Sequence, residues 1–230
     1  MPGFPRFATL GDSALVVHLG DRIDTPTFLA IRSLSRQLAA NPPAGMIELV
    51  PAFTTVAVYY DPLRTSQAEL IASIGKLAGM ADESLEPQPR VVEIPVCYGG
   101  EFGCDLEFVA KHAQLSTSEV IEIHSAADYL VHMIGFAPGF PYLGGMSSKI
   151  AAPRRNSPRL KVPAGSVGIA GDQTGIYPLE TPGGWQLIGR TPLELFQPHQ
   201  DPPTRLQAGD IVRFRPITSK QFRALMEQSA

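Results

Sequence analysis

The sequence has 230 residues, of which 44% are hydrophobic and 18% are charged. That length corresponds to one or two domains of about 150 residues, and the hydrophobic content excludes an intrinsically disordered chain. The net charge is −3, with 19 lysines and arginines against 22 aspartates and glutamates, which argues against nucleic-acid binding and against an anionic membrane surface.

Three further features predict a cytoplasmic protein. No apolar run approaches the roughly 18 residues of a transmembrane helix, and the first residues lack the pattern of a secretory signal. Cys97 and Cys104 are the only cysteines, too few for a disulfide framework. We therefore expect reduced thiols in a cytoplasmic protein that does not bind a membrane.

The first part of the chain alternates strand and helix patterns. Thr25 as N-cap, followed by Pro26 at the first helical position, predicts a helix over 26–40, and Ser66 with Glu69 predicts a capping box that opens a second helix. The apolar residues of the first helix recur at helical spacing: Phe28, Ile31, Leu34 and Leu38. Short β-branched or aromatic runs predict strands over 13–19, 46–50, 53–60 and 91–96. This order of elements is the split β-α-β pattern of ferredoxin-like domains.

A polar, proline-containing segment over 81–90 is interpreted as the linker to a second domain, and the strand over 91–96 is able to belong to either side of it. Beyond it, Asp105 is expected to cap a short helix, and Ser116 with Glu119 forms a capping box for a helix over 117–124. An alternating strand pattern follows over 129–136. From Gly135 to Pro203, glycine or proline occurs every few residues. Short strands separated by tight turns are expected there, in a barrel or a sandwich.

Several familiar kinds of catalytic site are absent from the sequence. His124 and His132 would lie about 12 Å apart along a helix, and no H-x-x-x-H or C-x-x-C pair occurs, so no metal site is predicted. No P-loop motif is present. Ser166 lies in a near match to the G-x-S-x-G nucleophile elbow, but a strand pattern follows it where the elbow requires a helix. On this ground Ser166 is interpreted as structural.

Polar residues accompany the glycines of the second half. Arg154, Arg155 and Arg159 lie in the segment PRRNSPR, which is either a solvated turn or an anion clamp, since guanidinium groups bind carboxylate and phosphate bidentately. The only tryptophan, Trp185, is suited to line an apolar groove. Further polar candidates lie nearby: Gln173, Thr174, Tyr177 and Arg190. A binding groove and ordinary turn chemistry both remain open at this point.

The longer motifs of this half resemble a known family. The segments are PVCYGGEFGCDL, GFAPGFPYLGG, PRRNSPRLKVPAGSVGIAG, QTGIYP and PGGWQLIGRTPLELF. They are similar to the family that contains the B subunit of 5-oxoprolinase, the sporulation kinase inhibitor and proteins described as allophanate hydrolase subunit 1. Related segments occur in the carboxyltransferase part of urea carboxylase. The resemblance covers nearly the whole chain.

The resemblance implies a fold and a function. The fold class is α+β, with a small ferredoxin-like α/β domain over 1–85 and a cyclophilin-like β-barrel domain over 86–230. The function is that of the B subunit of an ATP-dependent 5-oxoprolinase, which with the C subunit phosphorylates 5-oxoproline for ring opening to L-glutamate. The A subunit completes the reaction. ATP is the co-substrate, Mg²⁺ is supplied at the shared site, and the chain is expected to be inactive alone.

The resemblance also implies roles for the residues that lie in its motifs. The catalytic candidates are His124, Arg159 and Arg190, with His124 as the acid–base group. The substrate- or nucleotide-binding candidates are Arg154, Arg155, Ser166, Gln173, Thr174, Tyr177 and Trp185. No metal ligand is assigned.

Three other functions remain as alternatives. The first is a regulatory module that docks on a histidine kinase, with Trp185, Phe136, Phe140 and Tyr142 as interface anchors. The second is allophanate hydrolase subunit 1 of a urea-degrading system, against which the lack of a serine amidase signature counts. The third is a prolyl isomerase, which fold alone does not support.

Overall fold

The computed structural model describes residues 3–79 and 88–229. The chain forms two compact units, Met1–Gln88 and Pro89–Ala230. The linker predicted over 81–90 lies outside the described residues as far as residue 87, and the expected boundary between 85 and 86 lies outside them as well.

The first unit is a four-stranded antiparallel sheet with two helices. Its elements are β1 (Arg6–Thr9), β2 (Ala14–His18), α1 (Thr25–Ala40), β3 (Met46–Pro51), β4 (Thr55–Tyr60) and α2 (Gln67–Gly79). The strand order is β1-β2-β4-β3. Strands β2 and β3, which α1 connects, run in the same direction with β4 antiparallel between them.

The structure settles which unit contains the strand over 91–96, a point that the sequence left open. The outer position beside β2 is taken by β1, which the sequence pattern did not predict because its residues are mostly exposed and do not alternate. The segment predicted as a strand over 91–96 is β5 (Val91–Tyr98), which lies in the barrel of the second unit. Ile94 and Val96 are fully buried in that core.

The helices of the first unit follow their sequence signals closely. The predicted apolar face of α1 is buried, and the Ser66–Glu69 capping box is formed at the start of α2. The cap of α1 is corrected by one residue. Asp24, not Thr25, is the N-cap, and its carboxylate accepts a 2.9 Å hydrogen bond from the Thr27 backbone N–H. Aspartate is the stronger capping residue of the two.

The second unit is a closed seven-stranded barrel with three helices and a separate two-stranded ribbon. The helices are α3 (Leu106–Ala113), α4 (Thr117–Ala126) and α5 (Ser219–Ser229), and a 3-10 turn spans Ser148–Ile150. Its remaining strands are β6 (Asp128–Ile134), β7 (Pro141–Gly144), β8 (Arg159–Val162), β9 (Ser166–Ala170), β10 (Gln173–Ile176), β11 (Thr181–Gly183), β12 (Gln186–Arg190) and β13 (Ile211–Pro216).

The barrel confirms the expectation drawn from the glycine- and proline-rich region. Its strand order is β10-β7-β6-β13-β5-β12-β9, closed by pairing of β9 with β10. Strands β5 and β13 are parallel, while the other neighbours are antiparallel. Gly165 shows why glycine is needed at a barrel turn: its φ is +81°, and a Cβ would lie 2.3 Å from the Thr191 carbonyl oxygen.

No helix among the described residues is long and apolar enough to span a bilayer.

Candidate functional site

An aromatic cavity of about 310 Å³ opens beside the ribbon of β8 and β11. Phe140 lines the cavity and makes edge-to-face contacts with each of four aromatic neighbours, with ring centroids 5.0 to 5.5 Å away. These neighbours are Phe136, Tyr142, Tyr177 and Trp185. Such contacts fix the rings relative to one another, so the walls of the cavity are preformed.

Two of the predicted arginines line the same cavity. Arg154 and Arg155 lie in the loop before β8, and the Arg155 backbone N–H donates a 2.8 Å hydrogen bond to the Gly184 carbonyl. A second, more open recess of about 520 Å³ shares these arginines. Its other lining residues are Asp105, Phe108, Pro153, Asn156, Ser157 and Gln186. The arginines therefore stand between an aromatic compartment and a polar one.

Asp105 binds the arginines of this loop. Its Oδ1 accepts hydrogen bonds from Arg159 Nη2 at 2.7 Å and from Arg155 Nη1 at 3.3 Å. Its Oδ2 accepts one from the Leu187 backbone N–H at 2.7 Å. Asp105 precedes α3 as predicted, but its carboxylate makes no capping hydrogen bond. The prediction of a side-chain cap is therefore wrong, because the two guanidinium groups and the backbone of β12 occupy both carboxylate oxygens.

The electrostatics of the arginine cluster favour an anion. Arg154, Arg155 and Arg159 carry three positive charges against the single charge of Asp105. Burial works against the Arg159 charge, but Asp105 and Cys104 outweigh it and raise the pKa of this guanidinium. Arg155 Nε and Arg159 Nη1 are buried without a hydrogen-bond partner among the described residues. Unused buried donors beside a cavity are suited to a carboxylate or phosphate ligand.

Tyr177 supplies a neutral polar group to the aromatic compartment. Its side chain is buried, and burial raises the pKa of its hydroxyl, while a hydrogen bond with the Trp185 backbone and the charges of Arg154 and Arg159 oppose that shift. The hydroxyl therefore stays protonated near neutral pH and is able to donate or accept a hydrogen bond.

His124 lies in the barrel interior and lines neither compartment. Tyr98 donates a 2.8 Å hydrogen bond to His124 Nδ1, and His124 Nε2 donates to Thr174 Oγ1 at 3.0 Å. Thr174 in turn donates to the Gly168 carbonyl at 3.0 Å, which assigns the proton to Nε2. The side chain is 0% exposed, and burial lowers its pKa to about 3. These surroundings support a structural role for His124 and Thr174, and they give the predicted acid–base role no contact with a ligand.

The other predicted residues lie apart from the aromatic cavity. Arg190 lines a different cavity, of about 550 Å³, and its Nε donates to the Ala164 carbonyl at 2.8 Å. Ser166 pairs with Arg190 across β9 and β12 and is buried. Gln173 is half-buried at the start of β10 and lines none of these three cavities. The structure thus brings together Arg154, Arg155, Tyr177 and Trp185, with Arg159 beside them.

Sequence reasoning missed Asp105 and Gln186 as site residues. Gln186 lines the polar compartment, and its Nε2 donates to the Pro153 carbonyl at 2.8 Å. Both residues are remote in sequence from their partners in the site. Asp105 precedes Arg155 by 50 positions, and Gln186 follows Pro153 by 33. The only signal available was that an acidic residue and a glutamine each follow a glycine- and aromatic-containing motif, which is too general to assign a role.

The residues present do not fit a resident divalent metal. Within residues 3–79 and 88–229, no group of three or more histidine, cysteine, aspartate or glutamate side chains is placed to hold an ion. Asp105, the one described carboxylate that lines either compartment, is already bound to two arginines.

Comparisons with known proteins give matches that cover most of the chain. The family model for the carboxyltransferase domain, subdomain C and D, matches residues 5–206. The 5-oxoprolinase B subunit of Bacillus subtilis is 50% identical over 234 residues, covering 96% of each chain. That of Haemophilus influenzae is 58% identical over 211 residues, covering 89% of this chain and 94% of the relative.

Solved structures show the same fold. A conserved uncharacterized protein from Pyrococcus horikoshii is 47% identical with a TM-score of 0.57, covering 94% of this chain and all of that one. The urea amidolyase of K. lactis has a TM-score of 0.80 at 20% identity, covering 96% of this chain and 15% of that chain. At that identity the likeness concerns the fold alone.

Proposed function

Because this chain belongs to the family of 5-oxoprolinase B subunits, we propose that it is the B subunit of an ATP-dependent 5-oxoprolinase that opens 5-oxoproline to L-glutamate. The observation that carries the proposal is the aromatic cavity with Arg154 and Arg155 in its wall. Relatives named as B subunits of 5-oxoprolinase, which align with nearly all of the chain, support it.

The cavity matches the chemistry of 5-oxoproline. This substrate is a small five-membered lactam that carries a carboxylate. Apolar ring atoms pack favourably against Tyr177 and Trp185, while a guanidinium group binds the carboxylate with charge-assisted hydrogen bonds. The volume of about 310 Å³ lies at the low end of small-molecule sites.

The reaction needs positive charge because a lactam carbonyl is a poor electrophile. In the proposed step the lactam oxygen attacks the γ-phosphorus of ATP, the bond to the β,γ-bridging oxygen breaks, and ADP leaves. Water then adds to the carbonyl carbon, the ring C–N bond breaks as its nitrogen takes a proton, and a second water releases inorganic phosphate from the resulting carboxyl phosphate to give L-glutamate. Phosphoryl transfer depends on positioning and on stabilising charge at the phosphate oxygens. We propose that Arg154 supplies this charge to the phosphates in the adjoining polar compartment, while Arg155 binds the substrate carboxylate.

The nucleotide site is proposed to be shared with the C subunit of the enzyme, and the A subunit to complete ring opening. The described residues hold no ligand set for Mg²⁺, and the polar compartment, which is proposed to hold the phosphates, is open on one side. We therefore expect the chain to bind 5-oxoproline alone but to turn it over only in the complex, in the cytoplasm. The same proposal includes a ferredoxin-like fold for the first unit, a cyclophilin-like fold for the barrel and a domain boundary near residue 85.

Activity of the reconstituted complex tests the proposal. The chain is co-expressed with the A and C subunits from the same source, and ADP release is measured with and without 5-oxoproline. We expect ADP release that depends on 5-oxoproline, and a loss of at least about 100-fold in kcat/KM for Arg154→Gln. Arg213→Gln is the matched control, since Arg213 is an exposed barrel arginine paired with Asp128. Folded subunits that assemble without 5-oxoproline-dependent ADP release would contradict the assignment.

One observation favours the regulatory alternative. Phe136 is 63% exposed at the cavity mouth and has a φ of +68°, which is uncommon for a bulky residue. An exposed aromatic residue on a constrained loop is suited to anchor a partner such as a histidine kinase. Binding of a purified sensor kinase that Phe136→Ser abolishes, in a complex without 5-oxoprolinase activity, would favour this alternative.

A further inference from the structure

Asp105 is held in one position by four hydrogen bonds. Its two carboxylate oxygens accept from Arg159, Arg155 and the Leu187 backbone N–H, and its own backbone N–H donates to the Leu187 carbonyl at 2.9 Å. Its side chain is 8% exposed, against 22% for Arg159 and 37% for Arg155. The carboxylate therefore lies behind the arginines, and Arg155 lies closest to the open side.

We propose that Asp105 is a positioning residue, which through its carboxylate holds Arg155, which lines both compartments, in the orientation that binds the anionic group of the substrate, with Arg159 bound behind it. The inference rests on the proposed function, since that supplies the ligand. Two guanidinium groups so close together repel each other unless an anion lies between them. Asp105 supplies that anion and leaves the cluster with a net positive charge for the ligand.

Asp105 also binds the backbone of β12, so a matched control is needed to distinguish positioning from a contribution to barrel stability. Asp210 is an equally buried carboxylate, with its side chain 8% exposed. It accepts hydrogen bonds from Arg90 at 2.6 and 3.1 Å and from the Gln207 backbone N–H at 2.8 Å. Asp210 lines neither the aromatic nor the polar compartment. The two carboxylates thus share their chemistry and burial, and only Asp105 is linked to the cavity.

Fluorescence of the single tryptophan provides the binding assay. Trp185 lines the aromatic compartment, so 5-oxoproline is titrated into the full chain while its emission is recorded. A second titration uses 2-pyrrolidinone, the same lactam without the carboxylate. We expect Asp105→Asn to weaken binding of 5-oxoproline by about 10- to 100-fold and to leave binding of 2-pyrrolidinone unchanged. Asp105→Glu, which keeps the charge, restores part of the loss.

The outcomes separate the two proposals. Asp210→Asn is expected to retain the wild-type affinity for 5-oxoproline. If Asp105→Asn binds 5-oxoproline as the wild type does, or weakens both lactams equally, the positioning role is overturned while the proposed function stands. If Asp210→Asn causes the same selective loss, the effect is not specific to the cavity and the inference also fails. A wild-type chain that binds neither lactam overturns the assignment of the cavity, and the positioning role with it.

Discussion

Removing His124 should change how the stability of the barrel depends on pH. His124 is fully buried and neutral, and its pKa is lowered from 6.5 to about 3 by burial. In the unfolded chain the same imidazole has its ordinary pKa. Below pH 6.5 the imidazole is therefore protonated in the unfolded state but not in the folded state. The free energy of unfolding consequently falls as the pH falls.

The magnitude follows from the two pKa values. Each pH unit below 6.5 lowers the free energy of unfolding by about 1.4 kcal/mol until the folded-state pKa near 3 is reached. Between pH 7 and pH 5 this single group should thus remove about 2 kcal/mol from the stability of the second unit. His124→Gln has no proton to gain, so its stability should lack this part of the pH dependence.

Urea unfolding at pH 7 and pH 5 measures the effect. Trp185 belongs to the same unit as His124, so its fluorescence follows the correct transition. His132, whose pKa burial also lowers, titrates in both proteins and cancels in the comparison. At pH 7 the variant should be less stable than the wild type by about 1–3 kcal/mol, because glutamine does not reproduce the hydrogen bonds that His124 forms with Tyr98 and Thr174. At pH 5 the gap should shrink by about 2 kcal/mol. Parallel pH dependence of the two proteins would refute the buried, neutral state of His124.

Two smaller predictions concern the cavity wall and the surface. Gly183→Ala would place a Cβ 2.4 Å from the Tyr177 hydroxyl oxygen, so it should displace that ring and weaken 5-oxoproline binding at least about 10-fold in the Trp185 assay. The neighbouring Gly184→Ala, whose Cβ would lie 3.6 Å from Pro158, should bind as the wild type does, and equal losses would contradict the argument. Asp128→Asn removes an exposed ion pair with Arg213 and should leave the midpoint of urea unfolding unchanged. A clear fall in that midpoint would show that the pair stabilises the barrel.

Local sequence patterns predicted most of the helices, and the reason is physical. A capping box satisfies backbone N–H groups three residues away, so Ser116 and Glu119 suffice to define the start of α4. The apolar spacing of α1 likewise defines which side is buried. The dense glycine and proline of the second half indicated short strands and turns, because these residues terminate regular structure at close intervals.

The functional site was predicted only in part. Arg154, Arg155, Tyr177 and Trp185, which lie in one region of the sequence, line the same cavity in the structure. Arg190 lies in the same region but lines another cavity, because β12 carries its side chain to a different part of the barrel. His124 had the right chemistry for acid–base work, but its burial and its two hydrogen bonds depend on strands that the sequence does not identify as neighbours.

Sequence patterns alone indicate where helices start, which of their faces are apolar and which polar groups accompany the glycine-rich motifs. These features depend on contacts between residues a few positions apart. Long-range packing, in contrast, determines that β5 joins the barrel and that the carboxylate of Asp105 binds two arginines 50 and 54 positions away instead of capping its own helix. A capping hydrogen bond and an ion pair compete for the same oxygens, and the chain packing that brings the guanidinium groups within reach settles that competition.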